Sequence, residues 1–288
     1  MDSVAKSSRR KRRRVAFQVG IGVFLALGLW AFWIEPNSLV VRETTLIIPK
    51  WQKDANPLRI AILADLHVGA PYMNLDKVER VVDRTNRAKP DIIVLLGDYI
   101  VHGVIGGSYI APDLVAAKLK KLRAPLGVYA VLGNHDGWQG GQNVRPALES
   151  AGISVLKNET FQIMHNKKPV WILGLADLWT DMPDVDRPLA KIPVGDSVIA
   201  LTHNPDIFPK IPSRVSLTLA GHTHGGQVNL PIVGRLIVPS QFGQRYAIGH
   251  IVENGRHLFV STGIGTSILP VRFRCPPEIS IVTILANH

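Results

Sequence analysis

A single cysteine, Cys275, in 288 residues excludes an intrachain disulfide and leaves the redox compartment open. No internal repeat is present, nor any linker long enough to separate one domain from another, and 46% hydrophobic content suits one sizeable α/β core carrying an appendage. Acidic residues are the scarcer charge, 22 Asp and Glu against 33 Lys and Arg, which leaves a formal net charge of +11. That excess does not describe a nucleic-acid binder. No basic helix, aromatic stacking platform or finger motif accompanies it, so no nucleic-acid partner is expected, and no protein partner is inferred.

Much of the basicity sits in one place. Seven Lys and Arg, between Lys6 and Arg14, precede residue 15, with Asp2 the one acid among them, so a surplus of five charges is left for the remainder. That remainder could attract anionic lipid headgroups or phosphate-bearing substrates. Residues Val15 to Ile34 then run without a charge. As a helix, twenty such residues extend about 30 Å, the thickness of a bilayer's hydrocarbon core. The run is longer than the apolar core of a cleaved signal peptide, and it ends in Trp30, Phe32 and Trp33, which suit the membrane interface. The pairs of arginines lack the hydrophobic residue that a twin-arginine export signal places after them. The expected organisation is a basic cytoplasmic tail (1–14), a transmembrane signal anchor (15–34), a linker with a leading strand (35–58) and the main domain (59–288). With positive charge holding the amino terminus inside, that domain lies outside the cytoplasm. A segment lying in the interface, with the domain on the cytoplasmic face, is the rival arrangement, kept open by Gly20, Gly22 and Gly28.

The main domain carries five short strings that each follow an apolar run. Arg59–Ala64 leads into Asp65-Leu66-His67, and Asp91–Leu96 into Gly97-Asp98. Val128–Leu132 leads into Gly133-Asn134-His135-Asp136, Val198–Thr202 into His203-Asn204, and Val215–Ala220 into Gly221-His222-Thr223-His224. Runs rich in Ile, Val and Leu read as buried strands. Asp, Asn and His at their carboxyl ends would converge in the crevice where α/β folds bind ligands. Hard oxygens mixed with imidazoles form the ligand set of a two-metal hydrolase. Gly97, Gly133 and Gly221 stand directly before Asp98, Asn134 and His222, where a side chain would crowd the site.

In order and spacing these strings resemble the calcineurin-like metallophosphoesterases, whose motifs run D-x-H, G-D-x-x-D, G-N-H-D/E, H and G-H-x-H. The resemblance covers about residues 59 to 285. The longer string Gly221–Gln227 is similar to the membrane-associated bacterial branch that includes YkuE- and YaeI-type phosphodiesterases. It implies an α/β fold, a four-layer αββα sandwich. It further implies that Asp65, His67 and His224 hold one metal, that Asn134, His203 and His222 hold the other, that Asp98 bridges them, and that His135 acts as the general acid. One departure stands out: the second acid of G-D-x-x-D falls at Val101, with His102 after it. Two divalent cations roughly 3.5–4 Å apart would acidify a shared water and aim the hydroxide at phosphorus. Manganese is the first expectation for the cofactor, with iron and zinc as the other fits. The expected activity is that of a membrane-anchored phosphodiesterase acting on a phosphorylated lipid or envelope precursor, the lipid part being inferred from the anchor, which confines the site to a bilayer surface. Some relatives hydrolyse the pyrophosphate of UDP-2,3-diacylglucosamine, a cytoplasmic reaction at odds with the topology above. A metal-binding receptor or scaffold without turnover is the reading from another class, and it leaves His135 without a purpose.

The other residues admit plainer roles. Asp136, before Gly137, is expected as a turn residue or a support to the ligands. His102 divides between a contact to substrate and a solvated loop residue. His165, His250, His257 and His288 have no motif around them and read as surface or core histidines. Arg272 and Arg274 divide between reading a second phosphate and a structural or solvated role. Helices are expected over Leu75–Ala88 with Asn74 as cap, Pro112–Leu122 and Val144–Ala151. The glycine-bearing stretches His102–Tyr109 and Gly137–Asn143 are expected as loops flanking the metals. Val228–Leu230, Arg235–Val238, His257–Ser261 and Ile279–Leu285 are expected as strands of a second sheet.

Overall fold

A computed structural model of the chain describes the backbone of residues 2–138 and 141–287, and the side chains of 11–138 and 142–287. His288, residues 139–140 of the Gly137–Asn143 loop and the side chains of Lys6, Arg9 and Arg10 lie outside the described residues.

The apolar runs form strands of two sheets. Fourteen strands are found among the described residues: β1 (Val40–Ile48), β2 (Leu58–Leu63), β3 (Ile92–Leu96), β4 (Val128–Val131), β5 (Ser154–Val155), β6 (Glu159–His165), β7 (Lys168–Gly174), β8 (Ser197–Leu201), β9 (Leu217–Ala220), β10 (Asn229–Leu230), β11 (Gly234–Arg235), β12 (Gly249–Glu253), β13 (Arg256–Val260) and β14 (Glu278–Ala286). One six-stranded sheet has the order β1-β14-β2-β3-β4-β5 and the other β12-β13-β9-β8-β7-β6. Pairing is parallel through the ligand-bearing strands, with antiparallel joins at β14–β2, β6–β7 and β12–β13.

Alternation along each strand decides what lies between the layers. Ile60 and Ile62 of β2 and Val94 of β3 pack with Ile172, Ile199 and Leu219 of the second sheet, so these faces form the inter-sheet core. The intervening residues Ala61, Leu63, Ile93 and Leu95 turn to the opposite face. There they meet Val78, Val81 and Val82 of the helix Leu75–Arg87, together with Val115, Leu119 and Leu148 from the helices Pro112–Leu119 and Gly141–Ser150. Asn74 caps the first of these, its Oδ1 accepting from the Lys77 amide at 2.9 Å. The outer face of the second sheet is covered more thinly, by Leu189, Ile207 and Phe208 from the short segments Asp186–Leu189 and Pro205–Lys210.

Three expectations need correction. The C-terminal strand, expected in a second sheet, is β14 and lies inside the first, between β1 and β2. It is buried along most of its length and therefore takes an interior position. Val228–Leu230 and Arg235–Val238 belong to neither sheet, because Pro231, Gly234 and Pro239 break the segment into the two-residue strands β10 and β11, which pair only with each other. The hairpin β6–β7 and the edge strand β12 were not anticipated, since their exposed faces break the apolar runs. Smaller shifts occur at helix ends: the second helix stops at Leu119, short of Leu122, and the third starts at Gly141.

The N-terminal helix runs from Asp2 to Asn37, with a π turn at Trp30–Ile34. Within it Lys11–Asn37 is long and apolar enough to cross a membrane, with a mean hydropathy of 2.0, and 6% of its most apolar stretch is buried. Its end is bonded to the main domain. The buried Glu35 carboxylate accepts from Trp30 Nε1 (2.6 Å), Arg274 N (2.9 Å) and Cys275 N (2.5 Å), while the Ala31 carbonyl accepts from Arg272 N (2.9 Å). Lys77 Nζ donates to the Asn37 and Ser38 carbonyls, and Tyr72 Oη to that of Phe32.

Candidate metal centre

Residues that follow strands of both sheets meet where the carboxyl ends of β2, β3, β4, β8 and β9 come together. Asp65 and His67 follow β2, Asp98 follows β3 and Asn134 and His135 follow β4; from the second sheet come His203 after β8 and His222 and His224 after β9. Five of these, Asp65, His67, Asp98, His222 and His224, have positive φ, between 45° and 70°. Each such residue costs on the order of 1–3 kcal/mol and persists only where its surroundings fix it. The fixing bonds are explicit: His67 N to Asp98 O (2.9 Å), Asp65 N to Gly97 O (3.0 Å) and His222 N to Asp65 Oδ1 (2.9 Å).

Two groups of donors form around Asp98. On one side His67 Nε2 faces His224 Nε2 at 3.1 Å, and Asp65 Oδ1 lies 3.7 Å from His224 Nε2. On the other, His203 Nε2 is 3.0 Å from Asn134 Oδ1 and 3.1 Å from His222 Nδ1. Asp98 Oδ2 sits between them, 3.2 Å from His203 Nε2 and 3.5 Å from His67 Nε2. Imidazole nitrogens turned towards one another cannot all be satisfied by protons, whereas a cation within their reach accepts every lone pair. His203 supports this: its Nδ1 donates to the Leu96 carbonyl at 2.7 Å, which directs the Nε2 lone pair into the cluster. Thus the sets Asp65–His67–His224 and Asp98–His203–His222 could each hold a metal ion. His67, Asp98 and His135 also lie close enough to do so, although His135 Nε2 stands off at 3.9 Å from Asp98.

Electrostatics agree with a cation site. Burial holds His67 and His222 down to about 3, and His224 well below its ordinary value, so these rings are neutral at pH 7 and fit to donate to a metal. Burial also penalises charge on Asp98, but His203, bonded to it, and then His67 and His135, hold its carboxyl well below the usual range. Against the same burial, Asp98 and Asp65 raise His203 to about 10, so the carboxylates draw positive charge to this part of the cluster.

Asp136 is the support beneath this arrangement, as one of its two expected roles required. Its carboxylate accepts from the amides of Asp98 (2.8 Å), Tyr99 (2.8 Å) and Gly133 (2.9 Å), tying the β3 and β4 loops together. This bracing accompanies the missing second acid at Val101. The His135 amide donates to Asp98 Oδ1 at 2.9 Å, leaving Oδ2 for the two donor groups. A Cβ at Gly133 would stand 2.2 Å from Asp98 Oδ1, and one at Gly97 would be 2.5 Å from the Gly133 amide nitrogen. Gly133→Ala is therefore expected to cut phosphoester turnover by about 10²-fold or more, through displacement of Asp98. Steady-state kinetics beside a thermal melt check it, and unaltered turnover would show that the loop shifts freely.

A cavity of about 280 Å³ opens over the cluster, with His102, His135, Trp138 and Trp179 in its wall. His102 is thus placed beside His135, their ring centroids 5.8 Å apart, and is no free surface residue. Trp179, in edge contact with His222 at 4.4 Å, was not anticipated, and no motif surrounds it. Gly263 and Gly265 were missed as well: they press on Asp65 and Leu66, where Cβ atoms would come within 2.7 and 2.3 Å. Arg272 takes no ligand. It is fully buried and donates to the carbonyls of Thr262, Gly263, Gly265 and Cys275, so it is a strut for this loop, and neither a phosphate contact nor a salt bridge. His165 bonds the Pro57 carbonyl, and His250 stacks on His257 across the β12–β13 pair, so neither contact involves the cluster.

Fold and site together define a metal-dependent phosphoesterase. The sequence profile described as calcineurin-like phosphoesterase matches residues 58–226, and the chain belongs to that family. It is 31% identical to the uncharacterized metallophosphoesterase YkuE of Bacillus subtilis, over 98% of this chain and 99% of YkuE. It is 29% identical to the phosphodiesterase YaeI of Escherichia coli, over 82% of this chain and 85% of YaeI. It is 27% identical to the UDP-2,3-diacylglucosamine pyrophosphatase LpxG of Chlamydia trachomatis, over 89% of this chain and 92% of that protein.

Proposed function

We propose that this chain is a membrane-anchored, dinuclear metal-dependent phosphodiesterase whose substrate is a phosphorylated lipid or envelope precursor. The observation that carries it is the position of Asp98 Oδ2 between two donor groups, with His135 beside them in the cavity wall. Asp65, His67 and His224 would hold one cation, Asn134, His203 and His222 the other, and Asp98 would serve both. Manganese is the preferred pair, with iron and zinc also suited to mixed nitrogen and oxygen donors. When bound, two such cations neutralise phosphoryl oxygens and supply an acidified water. His135 then carries the proton to the leaving oxygen. Burial lowers its pKa most, and the carboxylate of Asp98 acts against that shift.

The lipid assignment rests on the N-terminal helix, which confines the cavity to a bilayer surface where amphiphiles concentrate. The domains follow as a cytoplasmic tail (1–14), an anchor (15–34), a connecting segment (35–58) and the catalytic domain (59–288), with the catalytic domain outside the cytoplasm. The name of LpxG favours a second reading, hydrolysis of a nucleotide-linked lipid pyrophosphate, which requires the opposite topology. A reporter enzyme that folds only outside the cytoplasm, fused after Asn37, separates the two: activity is expected, and a silent fusion with a protease-protected domain in spheroplasts would favour the second. Hydrolysis of bis-p-nitrophenyl phosphate by the full chain with Mn²⁺ tests the chemistry. A metal-loaded but inert protein would leave the receptor reading standing.

A further inference from the structure

Beside the catalytic cavity runs a second hollow of about 320 Å³ whose walls are almost wholly apolar, among them Val228, Leu236, Ile237, Ile268, Leu269 and Val271. The two adjoin, for His224, Pro239, Ser267 and Ile268 border both. Apolar side chains also lie bare at its rim: Leu236 is 67% exposed, Ile237 76%, Ile268 65% and the neighbouring Ile232 fully so. Contiguous exposed apolar surface of this kind marks a binding or membrane contact. At Val271 its wall comes next to the end of the N-terminal helix. Val271 precedes Arg272, whose amide bonds the Ala31 carbonyl, and the Ile268 carbonyl accepts from Ile105, another exposed residue (63%).

We propose that this groove receives an acyl chain of the substrate, laid from the metal centre towards the bilayer, while the rim rests in the membrane interface. The inference rests on the lipid-phosphodiester reading above and extends it by assigning the chain-binding surface. Three observations select a hydrocarbon chain as the occupant. The groove offers hardly any polar partner for a sugar or nucleotide, it begins at the residues that border the reacting phosphate, and it ends beside the helix that fixes the domain to the membrane. Bonds from Glu35 and Arg272 hold that helix against the domain, so groove and bilayer keep one relative orientation.

The test compares methyl and dodecyl p-nitrophenyl phosphate, which share one leaving group, with the full chain in phosphatidylcholine nanodiscs. Expected is a kcat/KM for the dodecyl ester about 10- to 100-fold above the methyl ester. In Ile237→Asp with Leu236→Asp the ratio falls towards one, and in Ile237→Leu it is kept. Both positions are largely exposed, so the substitutions are compatible with folding. Because partition of the long ester into the disc is common to all three proteins, and any general loss affects both esters, only the ratio is read. Equal kcat/KM for the two esters, or a ratio unchanged in the double variant, overturns the groove assignment while leaving the phosphodiesterase reading intact. Failure to hydrolyse either ester in the presence of Mn²⁺ overturns both.

Discussion

Asp98→Ala is expected to abolish turnover and to release metal from both positions. The side chain has an oxygen within 3.5 Å of a donor in each group, and its other oxygen is held by the His135 amide. In the proposed centre its removal would leave two cations facing one another without a shared anion, among imidazoles that cannot offset their repulsion. Asp98→Asn separates charge from shape, because the amide keeps the hydrogen bond to His135 yet halves the bridge. It is expected to retain some of the metal and little of the activity. Elemental analysis of the purified variants, together with a thermal melt to verify folding, decides the matter. Two ions per chain and near-native turnover in Asp98→Ala would mean that the bridge lies elsewhere.

His135→Ala should separate chemistry from metal binding. The ring stands 3.9 Å from Asp98 and is partly open to the cavity, where Trp138 and His102 flank it, so deleting it need not disturb the donor groups. Loss of general-acid assistance is expected to slow alkyl phosphodiesters about 10²–10⁴-fold. The defect should shrink for nitrophenyl leaving groups, which depart without a proton. Equal losses for both ester types, or loss of metal, would recast His135 as a positioning residue or a ligand.

The site was more legible than the fold around it. Each ligand candidate stood at the end of a short apolar run, and a strand terminus is a local property that composition reveals. Glycines directly before Asp98, Asn134 and His222 carried the same message, which the close approaches at Gly97, Gly133 and Gly221 explain. What local pattern does not specify is the sheet that a strand joins. The strands before Asp65 and His203 look alike in sequence, yet they lie in different sheets, and the cluster forms only because the two sheets end together. The same blindness put β14 in the wrong sheet. Its neighbours are β1 and β2, more than 200 residues distant in the chain, and no periodicity encodes that. Arg272 was ambiguous for a related reason: a guanidinium bonded mainly to backbone carbonyls leaves no trace in residue types. Trp179 and the apolar groove likewise arise from loops brought together by the fold.

The most direct measurement is a titration of EDTA-stripped full-length protein with Mn²⁺, following bound metal per chain and hydrolysis of bis-p-nitrophenyl phosphate on the same samples. Expected is turnover absent from the stripped chain, low with one ion bound, and complete only as occupancy approaches two. Full activity in the stripped protein, or a plateau reached at one ion per chain, would contradict a dinuclear centre built on Asp98.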